Sequence, residues 1–302
     1  MTIISTSAFY ERASLDFGTL RKRAEELQAQ ISSGQRINVS SDDPVGAARL
    51  RELARADQIA AVNTANANRA MSDLTLADAA IQEIADNLIR AQELATQAAN
   101  GLLDDTQRAA IGEQLANIRD NLIALANSKD SSGHSLFGGE GTGDAYTLSG
   151  GLPVYNGTAG AGELPLGDGQ SVTRGVTGPE FLNFEHAGVP TDLFAVIGNL
   201  ATALSGGSPD PVAAARDALD AMNAGLERIT TTQTVVGARM NWVELNVSRH
   251  ERQGEMRASE TETVGSIDAA TAITELQQIM TVLEASQASF VKLASLSLFD
   301  VI

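Results

Sequence analysis

The chain has 302 residues, a formal net charge of -17 with three lysines, no cysteine and an aromatic content of 4%. That length builds two or three domains, but the charge excludes an electrostatic grip on a nucleic-acid backbone, and the missing thiols exclude disulfides, thiolate metal sites and thiol catalysis. A core with so few rings must be aliphatic and alanine-rich, which suits closely packed helices and makes poor material for a deep ligand pocket.

The opening "MTIISTSAFYERASLDF" lacks the basic and apolar regions of a secretory signal. Apolar or small residues then recur at spacings of three and four through Tyr10, Ala13, Phe17, Leu20, Ala24, Leu27 and Ile31, which predicts a first amphipathic helix. "SSGQRINVSSDDPVGAARL" interrupts it. Gly34 can take the left-handed conformation that ends a helix, and Asp43 followed by Pro44 is a cap-and-first-turn start for the next. Pro44 also turns Asp43 away from helical dihedrals, so Gly34, Arg36, Asn38, Asp42, Asp43 and Pro44 form a predicted joint.

A second, rod-like helix follows, its seam running from Leu53 through Ala67, Leu74, Ile81 and Leu88 to Ala98. "NGLLDD" supplies a helix end and a new cap, and a third seam through Ile111, Leu115, Ile118, Leu122 and Leu125 should fold back on the rod. Between 133 and 207 the character changes: the stretch holds 18 of the 27 glycines, and seven acidic residues lie between 133 and 208 against Arg174 alone. "AYTLS", "LPVYNG" and "QSVTRGV" alternate with glycine turns, which predicts a small β-rich insertion of hairpins. Helix resumes after Ser208 or Asp210, with Pro211 in its first turn. Its seam fails across 251–265, where a second joint is expected, and a last seam runs through Ala269, Ile273, Leu276, Met280, Leu283, Gln287 and Phe290.

The two terminal helices carry apolar seams with no third layer to cover them. Phe17, Leu20, Leu27, Ile31, Leu276, Met280, Leu283 and Phe290 are therefore expected to meet other copies of the chain, and the apolar ends "TII" and "LSLFDVI" to fray until such copies cover them. The expected parts are 1–42 with 254–302 as a terminal coiled-coil assembly domain, 43–135 with 208–253 as a helical rod, and 136–207 as a β-rich outer domain.

No chemistry-bearing constellation emerges. His134, His186 and His250 lack metal-ligand spacing, and no H-E-x-x-H occurs. "GGEGTG" and "GDGQS" read as hairpin turns. Asp42 and Asp43 read as a helix cap rather than a cation site. Arg36 has two readings, a bridge to a neighbouring subunit or a solvated side chain. Trp242 reads as packing. No catalytic, cofactor or metal site is expected.

"QISSGQRINVSSDDPVGAARL" resembles the N-terminal signature of the bacterial flagellin family, in which S-G-x-R-I/V-N is followed by S-x-D-D-P/A. Within that family, "ISTSAFYE", the proline of "DDPVGAAR", "GHSLFGG", "LSLFDVI" and the β-rich "YNGTAGAGELPLGDGQSVTRGVTGPEF" are similar to the hook-filament junction branch rather than to filament flagellins. The resemblance implies a mainly α fold with a β-rich insertion: an elongated helical rod whose N- and C-terminal helices form a coiled-coil layer. It implies a structural adapter of the extracellular flagellum, self-associating in a tube, with the first hook-associated protein on the hook side and flagellin on the filament side. It also implies export without a cleaved signal, aided by a chaperone on the C-terminal helix. A filament-forming flagellin is the alternative within the family. A surface-exposed binding module, with Tyr146, Tyr155, Phe181 and Phe184 as a stacking platform for sugars, is the alternative outside it.

Overall fold

The structure, a computed structural model, describes the backbone of residues 6–299 and the side chains of Ala8 and of residues 10–292. The expected fraying of "TII" and "LSLFDVI" falls outside the described side chains. Contacts divide the chain into two units, residues 1–59 with 253–302 and residues 60–252. Helices α2 (Pro44–Ala98) and α6 (Pro211–Gly265) contribute residues to both.

In the first unit, α1 (Thr6–Ser33) runs antiparallel to α7 (Ala269–Phe299). Tyr10 and Phe17 both set ring edges against Phe290, at centroid distances of 5.2 and 5.7 Å, and the Arg23 guanidinium meets Glu275 at 2.9 Å. Ala24, Leu27 and Ala272 are buried in this pair. The start of α2 lies antiparallel to the end of α6, held by Arg49 on both carboxylate oxygens of Glu260 (2.6 and 2.9 Å) and by Arg257 on Asp57 (2.6 Å). These pairs explain a departure from expectation: α6 does not break at 251–265 but continues to Gly265. Its polar sequence there carries no apolar seam, and cross-helix ion pairs hold it instead. The return break is the three residues 266–268.

In the second unit, Ala67, Ala70, Leu74, Ala77, Ile81, Ile84, Leu88, Ala91, Ala95 and Ala98 alternate at three and four, and every one is at most 1% exposed. α6 answers with Ala215, Ala218, Met222, Gly225, Ile229, Thr232 and Val236, all buried at the same spacing. A sustained 3.5-residue apolar period sets two helices in a coiled-coil seam, and small residues let them approach closely. Gln82 to Gln233 (3.0 Å) and Gln92 to Asn223 (3.0 Å) border it and fix the antiparallel sense. α3 (Asp105–Ala126) begins at a capping box: Asp104 accepts from the Gln107 amide and Gln107 answers to the Asp104 amide.

The insertion is three separate antiparallel hairpins rather than one sheet: β1 (Tyr146–Ser149) with β2 (Leu152–Tyr155), β3 (Glu163–Gly167) with β4 (Gln170–Thr173), and β5 (Asn183–His186) with β6 (Val189–Asp192). Between and after them come α4 (Gly178–Leu182) and α5 (Leu193–Thr202), the latter capped by Asp192 on the Ala195 amide. α5 packs on α3 so tightly that a Cβ on Gly112 would sit 2.9 Å from the Ala201 carbonyl oxygen. A two-stranded hairpin is marginal alone, and side chains on or at the ends of the long helices use the main chain of β1–β2, of β3–β4 and of α4 to fasten them. Asn127 both donates to the Tyr146 carbonyl and accepts from its amide (2.8 Å each), as a neighbouring strand would. Asn66 donates to Pro165 O (3.0 Å), Arg228 to Glu180 O (2.6 Å) and Trp242 to Ser171 O (3.3 Å). Arg174, the lone base of the insertion, reaches Asp73 (2.6 Å) and Asp130 (2.8 Å).

Candidate assembly surface and joint

At the end of α1, Gly34 has φ +70° and its amide closes onto the Gln30 carbonyl (2.9 Å). The backbone then pairs with the return break: Arg36 N–H donates to Gly265 O (2.7 Å) and Ile267 N–H to Gly34 O (3.2 Å), with Gln35 and Ser266 forming an antiparallel bridge. Arg36, half exposed, has partners within its own chain. Its guanidinium donates to Val264 O (2.9 Å) and to Asp43 (2.9 Å), so one residue satisfies two terminal carbonyls of α6 and ties the loop to the start of α2.

The acidic pair is consumed locally. Asp42 accepts the amides of Asn38 and Val39 (3.0 Å each), and Asp43 accepts the Gly46 amide (2.9 Å) at the third position of α2, with Pro44 at the first. The Gly46 amide, followed by Arg36, holds the Asp43 carboxyl below its ordinary value. Ser33 donates to Asn38 Oδ1 (3.0 Å), and Gln30 to the Arg36 carbonyl (2.8 Å). Ile37 is the apolar anchor of the loop, and a Cβ on Gly46 would come within 2.6 Å of its Cδ1. Asp268 repeats the device for α7, accepting the Thr271 hydroxyl and the amides of Ala270 and Thr271. The Thr271 contacts, with lesser help from the Ala270 amide, lower its carboxyl.

The eight residues expected to meet other copies divide three ways. Leu27 is 2% exposed and belongs to the seam between α1 and α7, which corrects its assignment to an intersubunit surface. Phe17, Leu20, Ile31, Leu276, Leu283 and Phe290 are half-buried in that seam, each with one side open. Met280 is 46% exposed. Beside them the pair leaves Leu15, Val282 and Val291 exposed, residues outside the predicted seams, and Ile273, which the sequence places in the last seam. On α7 the sequence spacing itself held the signal: Ile273 and Met280 are one heptad apart, on a line adjoining the covered Ala272, Leu276, Leu283 and Phe290. A second apolar line on a helix needs a second partner.

Elsewhere the chemistry is structural. Among the described residues no three His, Cys, Asp or Glu side chains are grouped to hold a metal, and no helix is long and apolar enough to cross a membrane. His186 faces Asp217 (3.2 Å), and His250 is buried against the Leu166 carbonyl. The aromatic platform is not a surface. Tyr146 and Phe181 are buried, Phe181 stacks at 4.9 Å on Phe137, and Tyr146 lies between Tyr155 and Phe194 at 5.3 and 5.2 Å. Burial raises the Tyr146 hydroxyl well above its ordinary range. Rings so scarce in the chain are needed for the core of the insertion.

Residues 4–142 match the bacterial flagellin N-terminal helical region. Flagellar hook-associated protein 3 of Escherichia coli is 26% identical over 94% of this chain and 95% of its own length, and the Salmonella typhimurium protein of the same name is 26% identical over 98% of both. A putative flagellar hook-associated protein from Vibrio parahaemolyticus shares the fold at a TM-score of 0.69 and 22% identity, over 74% of this chain and all of that one. The exposed apolar rows of α1 and α7 thus lie in a chain whose residues 4–142 are similar to the flagellin N-terminal helical region and which is similar, along nearly its whole length, to flagellar hook-associated protein 3.

Proposed function

We propose that this chain is a non-catalytic structural adapter that joins the hook-associated zone of the bacterial flagellum to the flagellin filament. The observation that carries the reading is the apolar surface left open on the α1–α7 pair, with Leu15 at 67% and Val291 at 66% exposure, in a chain related end to end to a hook-associated protein. Copies of the chain cover those rows for one another in a tube. The first hook-associated protein adjoins that tube on one side and flagellin on the other. Residues 1–42 with 254–302 serve as the assembly part, 43–135 with 208–253 as the rod and 136–207 as the outer part. The paired joint at Gly34–Asp43 and 266–268 holds one layer while the other tilts. The chain leaves the cell through the flagellar export channel, with a chaperone on α7 covering the same apolar rows beforehand. Deleting the gene in the source cell tests this: the adapter role predicts hooks without filaments and flagellin shed into the medium. Full-length filaments on the deletion strain would refute it.

A further inference from the structure

We propose that Met280 is an oxidation site that gates assembly, a thioether that a hypohalous acid converts to a sulfoxide only while the chain is free. With no cysteine present, the six methionines hold all the sulfur. Among the described residues they grade by access: Met222 is fully buried, Met71 and Met240 are half-buried against the core, and Met280 and Met256 are exposed at 46% and 65%. The two accessible ones have opposite surroundings. Met256 sits in the polar "ERQGEMRASE" of α6, whereas Met280 lies one heptad from exposed Ile273 and between half-buried Leu276 and Leu283.

The chemistry balances without a protein catalyst. The thioether sulfur gives two electrons to the chlorine of hypochlorous acid and takes its oxygen; chloride and a proton leave. An apolar side chain becomes a polar one with a strong acceptor, and burying that acceptor without a donor opposes docking. At Met256 the same change meets only solvent. The inference rests on the proposed assembly role, because it needs Met280 to be covered by another copy.

The test adds purified full-length chain, treated with limiting hypochlorous acid, to cells whose hooks lack it, and counts hook ends that gain it. Peptide masses should show about 16 Da added at Met256 and Met280 before Met222. Capping should fall about tenfold for treated wild type and for treated Met256→Leu. It should stay within about twofold of the untreated level for treated Met280→Leu, which keeps the apolar volume. Methionine sulfoxide reductase should restore treated wild type. Equal loss by treated Met280→Leu would overturn the proposal, as would full capping by chain carrying the Met280 sulfoxide. Untreated Met280→Gln separates the two ideas. If it caps as well as wild type, this row is not an interface and the assembly reading itself falls; if it fails while the Met280 sulfoxide caps, only the oxidation gate falls.

Discussion

Replacing Gly34 by alanine isolates the backbone geometry on which the joint depends. Its φ of +70° is left-handed, and a Cβ there would meet nothing within 4 Å, so the change adds strain without a clash. That strain is about 1–2 kcal/mol for alanine, set against about 0.4–1 kcal/mol gained because alanine restricts the unfolded chain. The net spans about 0 to 1.6 kcal/mol of loss, and its midpoint of about 0.8 kcal/mol is a factor of about four in local opening. Amide hydrogen exchange reads it directly at Arg36 and Ile267, whose N–H groups cross the joint. Both should exchange about four times faster in Gly34→Ala, and less so in Gly34→Asn, because asparagine tolerates the left-handed region better. Amides around Leu74, in the other unit, should keep their wild-type rates. Unchanged protection at Arg36 and Ile267 would show that the left-handed turn is not what holds the joint.

Three other perturbations probe different levels. Gly112→Ala forces a Cβ to 2.9 Å from the Ala201 carbonyl oxygen and should cost about 1–3 kcal/mol in urea unfolding, whereas Gly237→Ala, with open space around it in α6, should gain about 0.5–1 kcal/mol; equal effects would discount the close approach of α3 and α5. Burial works to raise the Asp130 carboxyl, but the amides of His134 and Ser132 and the Arg174 charge outweigh it and hold it below 3.8. Its contribution is therefore present above that ordinary value and lost as pH falls through the lowered one, so thermal melts of Asp130→Asn should show a shallower acid decline than wild type. Matching slopes would remove Asp130 from the acid response. Leu283→Asp places a charge in the half-buried seam and should abolish incorporation into flagella while circular dichroism still reports a folded 60–252 unit; normal incorporation would contradict the assembly role.

The long seams were legible because their information is local. The three-four spacing from Ala67 to Ala98 is written in consecutive residues, and each of those positions is buried. The caps at Asp43, Asp104 and Asp210 are local for the same reason, each accepting an amide three residues on. What sequence could not display are partners far along the chain. Helix α6 persists through 251–265 because Glu260 and Arg257 meet Arg49 and Asp57, some 200 residues away. Arg36 looked ambiguous because its carbonyl partner, Val264, is 228 residues on. α5 was hidden by a different cause: ten residues with apolar side chains at most positions fit a buried strand or a short helix equally well, and packing on α3 decides. Tyr146 and Phe181 looked like a surface platform only because composition does not show which few rings a small β-rich insertion needs for its core.

The most direct test of the adapter role is immunogold electron microscopy of flagellated cells with antibodies against residues 140–205, the insertion and its approaches. The account predicts a single tight cluster of label where hook meets filament. Label spread along the filament, or confined to the cell body, would contradict it.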